Sequence, residues 1–423
     1  MRRWFLMVLA GSALLLAGHP AHAAPIFELD ITVNNTDNSV RFFDNVSDMF
    51  DGLTQQQISA ALPSYTSTSP LNVTLNFRGL PMTVTAAPNS PVMRLQIPAI
   101  GVDLTFNGGS RDASQTQLED WFKKNGGDTL SRLMKKLAES TAIDPIAGNP
   151  NSAMAQAVSG DFSRGFLTTA SNLRADTQAA ASTTTSVGEK NANTMSLAAR
   201  FGYLSQGGIK SQSISLPLGY TVRFQDPQQT FSISLPITMV DVEGSRSYSA
   251  GLGLGYSHPL TKYWIITPAL GYTVTGSPDM GSAGQVVSGS LTSSYTVPLG
   301  QYQISMGNMA GYYRTLRLSI AGYSFDPQIE NYVLRNGLMF YLPTGFLIKD
   351  TGLEIFGIDT RYLGDALFID SYEEVGLSFG RTKVKRKTVG DQIRNVLTDV
   401  RVGVSYIFAS GSHGFTANLG YSF

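Results

Sequence analysis

The chain has 423 residues, 31 basic against 31 acidic side chains, a formal net charge of zero and no cysteine. The charge balance argues against a nucleic-acid binder, and the missing cysteines exclude disulfide scaffolds, thiolate zinc sites, iron–sulfur clusters and thiol catalysis. Only 15% of residues are charged while 42 are Gly, 18 Tyr and 22 Phe, a balance foreign to an ordinary cytosolic enzyme.

Met1-Arg2-Arg3-Trp4 is a short basic segment, Phe5 to Gly18 is apolar, and Ala21-His22-Ala23 offers small residues at a cleavage position. This pattern predicts a secretory signal peptide over residues 1–23. Its apolar run of about 14 residues falls short of the ~20 that a spanning helix needs. No later run reaches that length, so a helical membrane domain is not expected.

Residues 24–143 read as a small α+β domain. Phe27, Leu29, Ile31 and Val33 alternate, as do Leu71, Val73, Leu75 and Phe77, and again Ile100, Val102, Leu104 and Phe106. A helix is expected over 47–62 with Ser47 as its N-cap. A second helical stretch over 114–138 is expected to break at Gly126-Gly127. Leu118, Trp121, Phe122, Leu130, Leu133, Met134 and Leu137 form its apolar stripe, and Lys123, Lys124, Arg132, Lys135 and Lys136 make its other side basic. Packing on the β domain is favoured over docking on anionic lipid. Residues 144–192, rich in Ala, Ser, Thr, Asn and Gly, read as a linker and are the candidate to enter a barrel lumen.

From residue 193 to the C-terminus the chain alternates with period two. Tyr248, Ala250, Leu252, Leu254 and Tyr256, for example, oppose Ser249, Gly251, Gly253, Gly255 and Ser257. Twelve such segments can be counted, with Phe356, Ile358 and Tyr362 taken as the apolar face of one of them. A soluble sandwich and a membrane barrel share this code. Segment lengths of ~10 residues, aromatics at segment ends and a Ser/Gly/Thr-dominated polar face favour the barrel. The expected fold is all-β overall: a C-terminal 12-stranded antiparallel transmembrane β-barrel over 193–423 behind the α+β domain and linker. Signal-directed export puts the barrel's N-terminus in the periplasm, so odd-numbered connections face outside. The longest, Tyr313–Asn331, is one of them.

Charged side chains on the polar face should point into the lumen, since charge on the lipid face costs ~2–4 kcal/mol at the midplane. By parity these are Arg200, Arg223, Arg335, Asp359, Arg361, Glu374, Asp399 and Arg401. They form either a wall network or a seat for a plug or linker. Ser410, Ser412 and His413 sit together at an outer turn, but two serines and a histidine within one turn do not make a triad. No metal or phosphate-binding pattern appears, and no cofactor or enzymatic role is expected.

Leu419, Tyr421 and Phe423 alternate to a terminal aromatic and resemble the C-terminal assembly signal of Gram-negative outer-membrane proteins. Together with twelve strands behind an N-terminal region, the chain resembles the translocator barrel of autotransporters over about residues 193–423. The resemblance implies the cell outer membrane, with its lipid and lipopolysaccharide, as the location. It implies the barrel-assembly machinery as a partner, and export or display of the N-terminal region with a linker in the lumen. The readings kept beside it are a plugged pore or transporter with a periplasmic N-terminal domain, and an outer-membrane lipid-modifying enzyme.

Overall fold

The computed structural model describes residues 26–170, 194–226, 228–320, 323–345, 351–381 and 400–422. The signal segment 1–23, Asp399 and Phe423 lie outside the described residues.

In the N-terminal domain, period-two runs become six strands: β1 (Phe27–Val33), β2 (Asp37–Phe43), β3 (Leu71–Phe77), β4 (Leu80–Ala86), β5 (Met93–Ile97) and β6 (Val102–Phe106). They form one antiparallel sheet in the order β2-β1-β3-β4-β5-β6. Phe27, Leu29, Ile31 and Val33 on its inner face are wholly buried. Two short helices follow β2 where one was expected. They are α1 (Val46–Asp51), capped by Asn45, and α2 (Gln55–Ala61), capped by Thr54. Asn45, not Ser47, accepts from the Asp48 amide to open α1, and after Gly52 the Thr54 side chain accepts from the Gln57 amide to open α2.

Helix α3 (Arg111–Ser140) runs through Gly126-Gly127 without a break. The glycine costs helix propensity but gives clearance: a methyl at Gly127 would collide with the Ser324 carbonyl, so α3 can lie against a loop of the barrel. Leu118, Leu133 and Leu137 bury against the sheet. On its basic side, Arg132 donates to the Ile100 carbonyl at 2.8 Å and Lys135 pairs with Asp365 at 2.7 Å. The helix thus packs between the sheet and the barrel.

Twelve strands close a barrel in the order β10-β11-β12-β13-β16-β17-β18-β19-β20-β7-β8-β9. The first six are β7 (Thr194–Gln206), β8 (Ile209–Arg223), β9 (Thr230–Val242), β10 (Ser245–Thr261), β11 (Trp264–Ser277) and β12 (Ser282–Leu299). β13 (Tyr302–Leu316) leads into the longest loop, which carries a small hairpin of β14 (Leu318–Ile320) and β15 (Tyr323–Phe325). The wall resumes with β16 (Glu330–Pro343), β17 (Thr351–Gly364), β18 (Ser371–Arg381), β19 (Val400–Ala409) and β20 (Ser412–Ser422). β20 pairs antiparallel with β7, from Ser412↔Gln206 to Ser422↔Ser196, which removes both sheet edges. Tight turns rest on residues at positive φ, as at Glu243-Gly244, where twisted strands demand it.

Exposed apolar side chains cover the outside. Leu216, Leu235, Ile237, Leu270, Leu291, Leu338 and Val404 are among them. A largely apolar exterior on a closed wall is the structure of a membrane-spanning barrel of the outer-membrane type. The N-terminal domain sits on the rim that carries the connections β9–β10 and β11–β12. Val46 N donates to Asp279 O at 2.8 Å, the Ser245 hydroxyl bonds the Asp44 carbonyl, and Val240, Val242 and Met280 join the domain's core. This domain rim is opposite the rim where β7 begins and β20 ends, here called the terminus rim.

Candidate functional site

The chain leaves α3 and enters the barrel. Arg78 and Asp144, both fully buried, pair at 2.6 Å at the mouth. The other oxygen of Asp144 accepts from the amides of Ile146 (2.8 Å) and Ala147 (3.2 Å), which turns the chain inward. Ser152 then caps helix α4 (Ala153–Phe162), which widens into a π-helical turn over Ser163–Leu167. The segment expected to be a linker therefore folds in its first part. Its composition hides this because α4 is apolar on most sides, being surrounded by wall, and shows little amphipathic period.

From Asn151 to Ala170 the segment is tied to inward-facing wall residues. Near the domain rim, Asn151 Nδ2 donates to Ser211 Oγ at 2.9 Å. Deeper, Ser249 Oγ donates to Gln156 Oε1 at 2.9 Å. Asp161 is 1% exposed and its Oδ2 accepts from Ser288 Oγ at 3.0 Å and Tyr313 OH at 2.9 Å. Arg164 pairs with Asp161 and donates to Ser234 Oγ at 2.6 Å, so a buried carboxylate meets both a cation and two hydroxyls. Close to the terminus rim, Gln303 Nε2 reaches the Ala170 carbonyl at 3.5 Å.

Apolar packing completes the fit. Phe162 and Phe166, their rings 5.2 Å apart, bury with Met154 and Val158 against Val286, Met309, Val333, Met339 and Ile358. Glycines in the wall make the room: a methyl at Gly307 would strike Phe166, one at Gly337 would meet both rings, and one at Gly253 would strike Arg164.

The charged residues expected in the lumen separate into three groups. Arg335, Glu374, Arg200 and Arg401 point inward. Arg335 donates to Thr360 Oγ1 (2.6 Å), Tyr372 OH (3.0 Å) and Glu374 Oε2 (3.2 Å), and its guanidinium lies 5.3 Å from the Phe162 ring centre. Arg200 bonds Asn418 at 2.9 Å and reaches Ser159 of α4 at 3.3 Å. Arg401 pairs with Glu354 at 2.8 Å, within the wall. Arg223 ends the inward row of β8, with Nε buried. Asp399 falls outside the described residues.

Asp359 and Arg361 correct the parity expectation: they face outward and pair with each other at 3.1 Å. The inward residues of β17 include Phe356, Ile358 and Tyr362, which the alternation alone assigns to the lipid face. The inference presumed a watery lumen. Here the plug offers Phe162 and Val158, so an apolar inward face is the stable one.

Leu419 is 47% exposed on the outer face of β20, and Tyr421 pairs with Val400 and Leu197 in the closing seam; Phe423 is outside the described residues. Ser412 is 5% exposed and faces inward, whereas the adjacent His413 faces out, so they share no reacting space. Among the described residues no cluster of His, Asp and Glu could hold a metal ion. The helix residues Gln156, Asp161 and Arg164 and their partners Ser234, Ser288 and Tyr313 escape a sequence reading. The one available signal was Asp161 and Arg164 at a helical i,i+3 spacing within an otherwise small and apolar stretch.

No family model matches the chain, and no curated protein matches it. Solved structures with a similar barrel include the translocator domain of autotransporter NalP from Neisseria meningitidis, at 14% identity and TM-score 0.39, covering 62% of this chain and 99% of that one. The beta domain of the Bordetella autotransporter BrkA matches at 12% identity and TM-score 0.39, covering 56% of this chain and all (100%) of that one. The KdgM porin in complex with disordered oligogalacturonate matches at 10% identity and TM-score 0.33, covering 54% and 99%.

Proposed function

We propose that this barrel is a display device: it holds its own N-terminal domain at the outer surface of the outer membrane, by a chain that threads the lumen, as in autotransporters. One observation carries the reading. The domain and the barrel's two termini lie at opposite rims, and the chain that leaves the domain enters the lumen as a helix bonded to the wall from Asn151 to Ala170. Signal-directed export leaves the termini of such a barrel in the periplasm, which puts the domain outside. The long loop with its β14–β15 hairpin lies on the same side, as the outer loops of barrels do.

A plugged pore with a periplasmic domain would need the termini outside, against that insertion direction. With no more than one helix to admit, the lumen serves as a sleeve for the chain, and binding falls to the domain. Protease treatment of intact cells tests the proposal. Display predicts removal of the domain with the barrel retained; full protection of the domain, with digestion only after the outer membrane is opened, refutes it.

A further inference from the structure

Five directly paired outward positions form a polar row across the lipid-facing wall. Ser293 pairs with Asn308, Asn308 with Asn336, Asn336 with Asp359, and Asp359 with Glu373. Asn308 Nδ2 donates to Asn336 Oδ1 at 2.7 Å, and Arg361 joins the row through Asp359. Aromatic pairs bracket the two amides on the same two strands. Tyr312 and Tyr332 meet at a tilt toward the domain rim at 5.2 Å, and Tyr302 and Phe340 stack toward the terminus rim at 6.0 Å. A strand tilted ~40° climbs about 2.6 Å per residue, so Asn336 lies roughly 10 Å from the aromatic on either side of it, among acyl chains. The row climbs with the tilt, and its charged members approach the girdle at the domain rim.

Acyl chains contain neither donor nor acceptor. One mutual hydrogen bond leaves an Nδ2 group on Asn336 and an Oδ1 on Asn308 with further capacity. Toward the domain rim the row ends in Asp359, Arg361 and Glu373, charges of both signs. A protein surface with both donors and acceptors answers the row, and this row is such a surface. Amides pair with amides, and Asp359–Arg361 offers both signs to its own image.

We propose that two copies of the chain associate side by side in the membrane through β13, β16 and β17, about a twofold axis near Asn336. The inference rests on the outward wall facing lipid and is independent of where the N-terminal domain lies. Across the axis each amide gains the partner that lipid withholds, and the ion pairs interleave.

Cysteine cross-linking tests this, since the chain has no native cysteine. Leu338→Cys lies two residues from Asn336 on the same outward face, and Leu216→Cys lies on β8, away from the row. Oxidation of the full-length protein in native outer membranes should give Leu338→Cys a product of twice the monomer mass, at least fivefold more than Leu216→Cys. Adding Asn308→Leu and Asn336→Leu to Leu338→Cys should reduce that product at least fivefold. Equal cross-linking of the two positions, no dimer at either, or an adduct with a different protein would overturn the proposal. If the double leucine variant does not assemble, the comparison of Leu338→Cys with Leu216→Cys still decides. Heat-modifiable migration of each variant shows separately that the membrane barrel has formed.

Discussion

Removing residues 24–190 should turn a nearly closed barrel into an open one. Twelve strands spaced ~4.8 Å apart and tilted ~40° give a backbone circumference of about 75 Å and a diameter of about 24 Å. Inward side chains on both sides reduce that to a lumen about 14 Å across. A helix with its side chains is ~10–12 Å wide, so α4 and its π-helical continuation take most of the section. What remains is a set of narrow slits, further closed by Arg335 against Phe162 and by the bonds from Asp161 to Ser288 and Tyr313. The open area alone should rise about threefold on deletion, and conductance by at least as much. Single-channel recording in planar bilayers of the full-length and truncated proteins measures this directly. Equal conductance of the two, with both barrels shown to be folded, would refute the claim that the chain occupies the lumen.

Three further outcomes follow from individual contacts. Arg78→Ala leaves the fully buried Asp144 carboxylate without its cation and should cost about 3–5 kcal/mol, read as a lower melting temperature of the domain and faster proteolysis near residue 144. Phe162→Ala with Phe166→Ala empties the glycine-lined pocket of the wall. Each loss should weaken seating of the plug by about 3–5 kcal/mol, and full-length channels should then flicker open in bilayer recordings. Deleting Phe423 should lower the yield of heat-modifiable barrel at equal expression, because it removes the terminal aromatic of the closing strand; an unchanged yield would remove the assembly-signal reading.

The wall was legible in the sequence because one physical rule sets it. Each strand has one face in lipid, and Tyr248 through Tyr256 opposite a Ser/Gly row satisfies that rule at every position. The Ser/Gly face also announced a lumen with room in it, which the collisions at Gly253 and Gly307 now explain. The rule failed where its premise failed. On β17, Ile358 and Tyr362 meet an apolar plug instead of water, and Asp359 and Arg361 meet the lipid side as a neutralising pair. The plug was illegible for a related reason. Helix α4 contacts wall on most sides, so Ala153–Phe162 lacks the one-sided stripe by which surface helices are recognised. The break expected at Gly126-Gly127 took glycine as a helix stop, whereas Gly127 is held in the helix by a tertiary approach to Ser324 that no local pattern records.

The central claim is that the domain and the barrel's termini lie on opposite sides of the outer membrane. Single cysteines in this cysteine-free chain, probed on intact cells with a membrane-impermeant maleimide, address it most directly. Asn72→Cys sits on the exposed face of the domain, Ser410→Cys on the turn after β19 at the domain rim, and Gln301→Cys on the turn between β12 and β13 at the terminus rim. The account predicts labelling of the first two on intact cells and of Gln301→Cys only after the outer membrane is permeabilised. Labelling of Gln301→Cys on intact cells, with Asn72→Cys and Ser410→Cys protected, would contradict it.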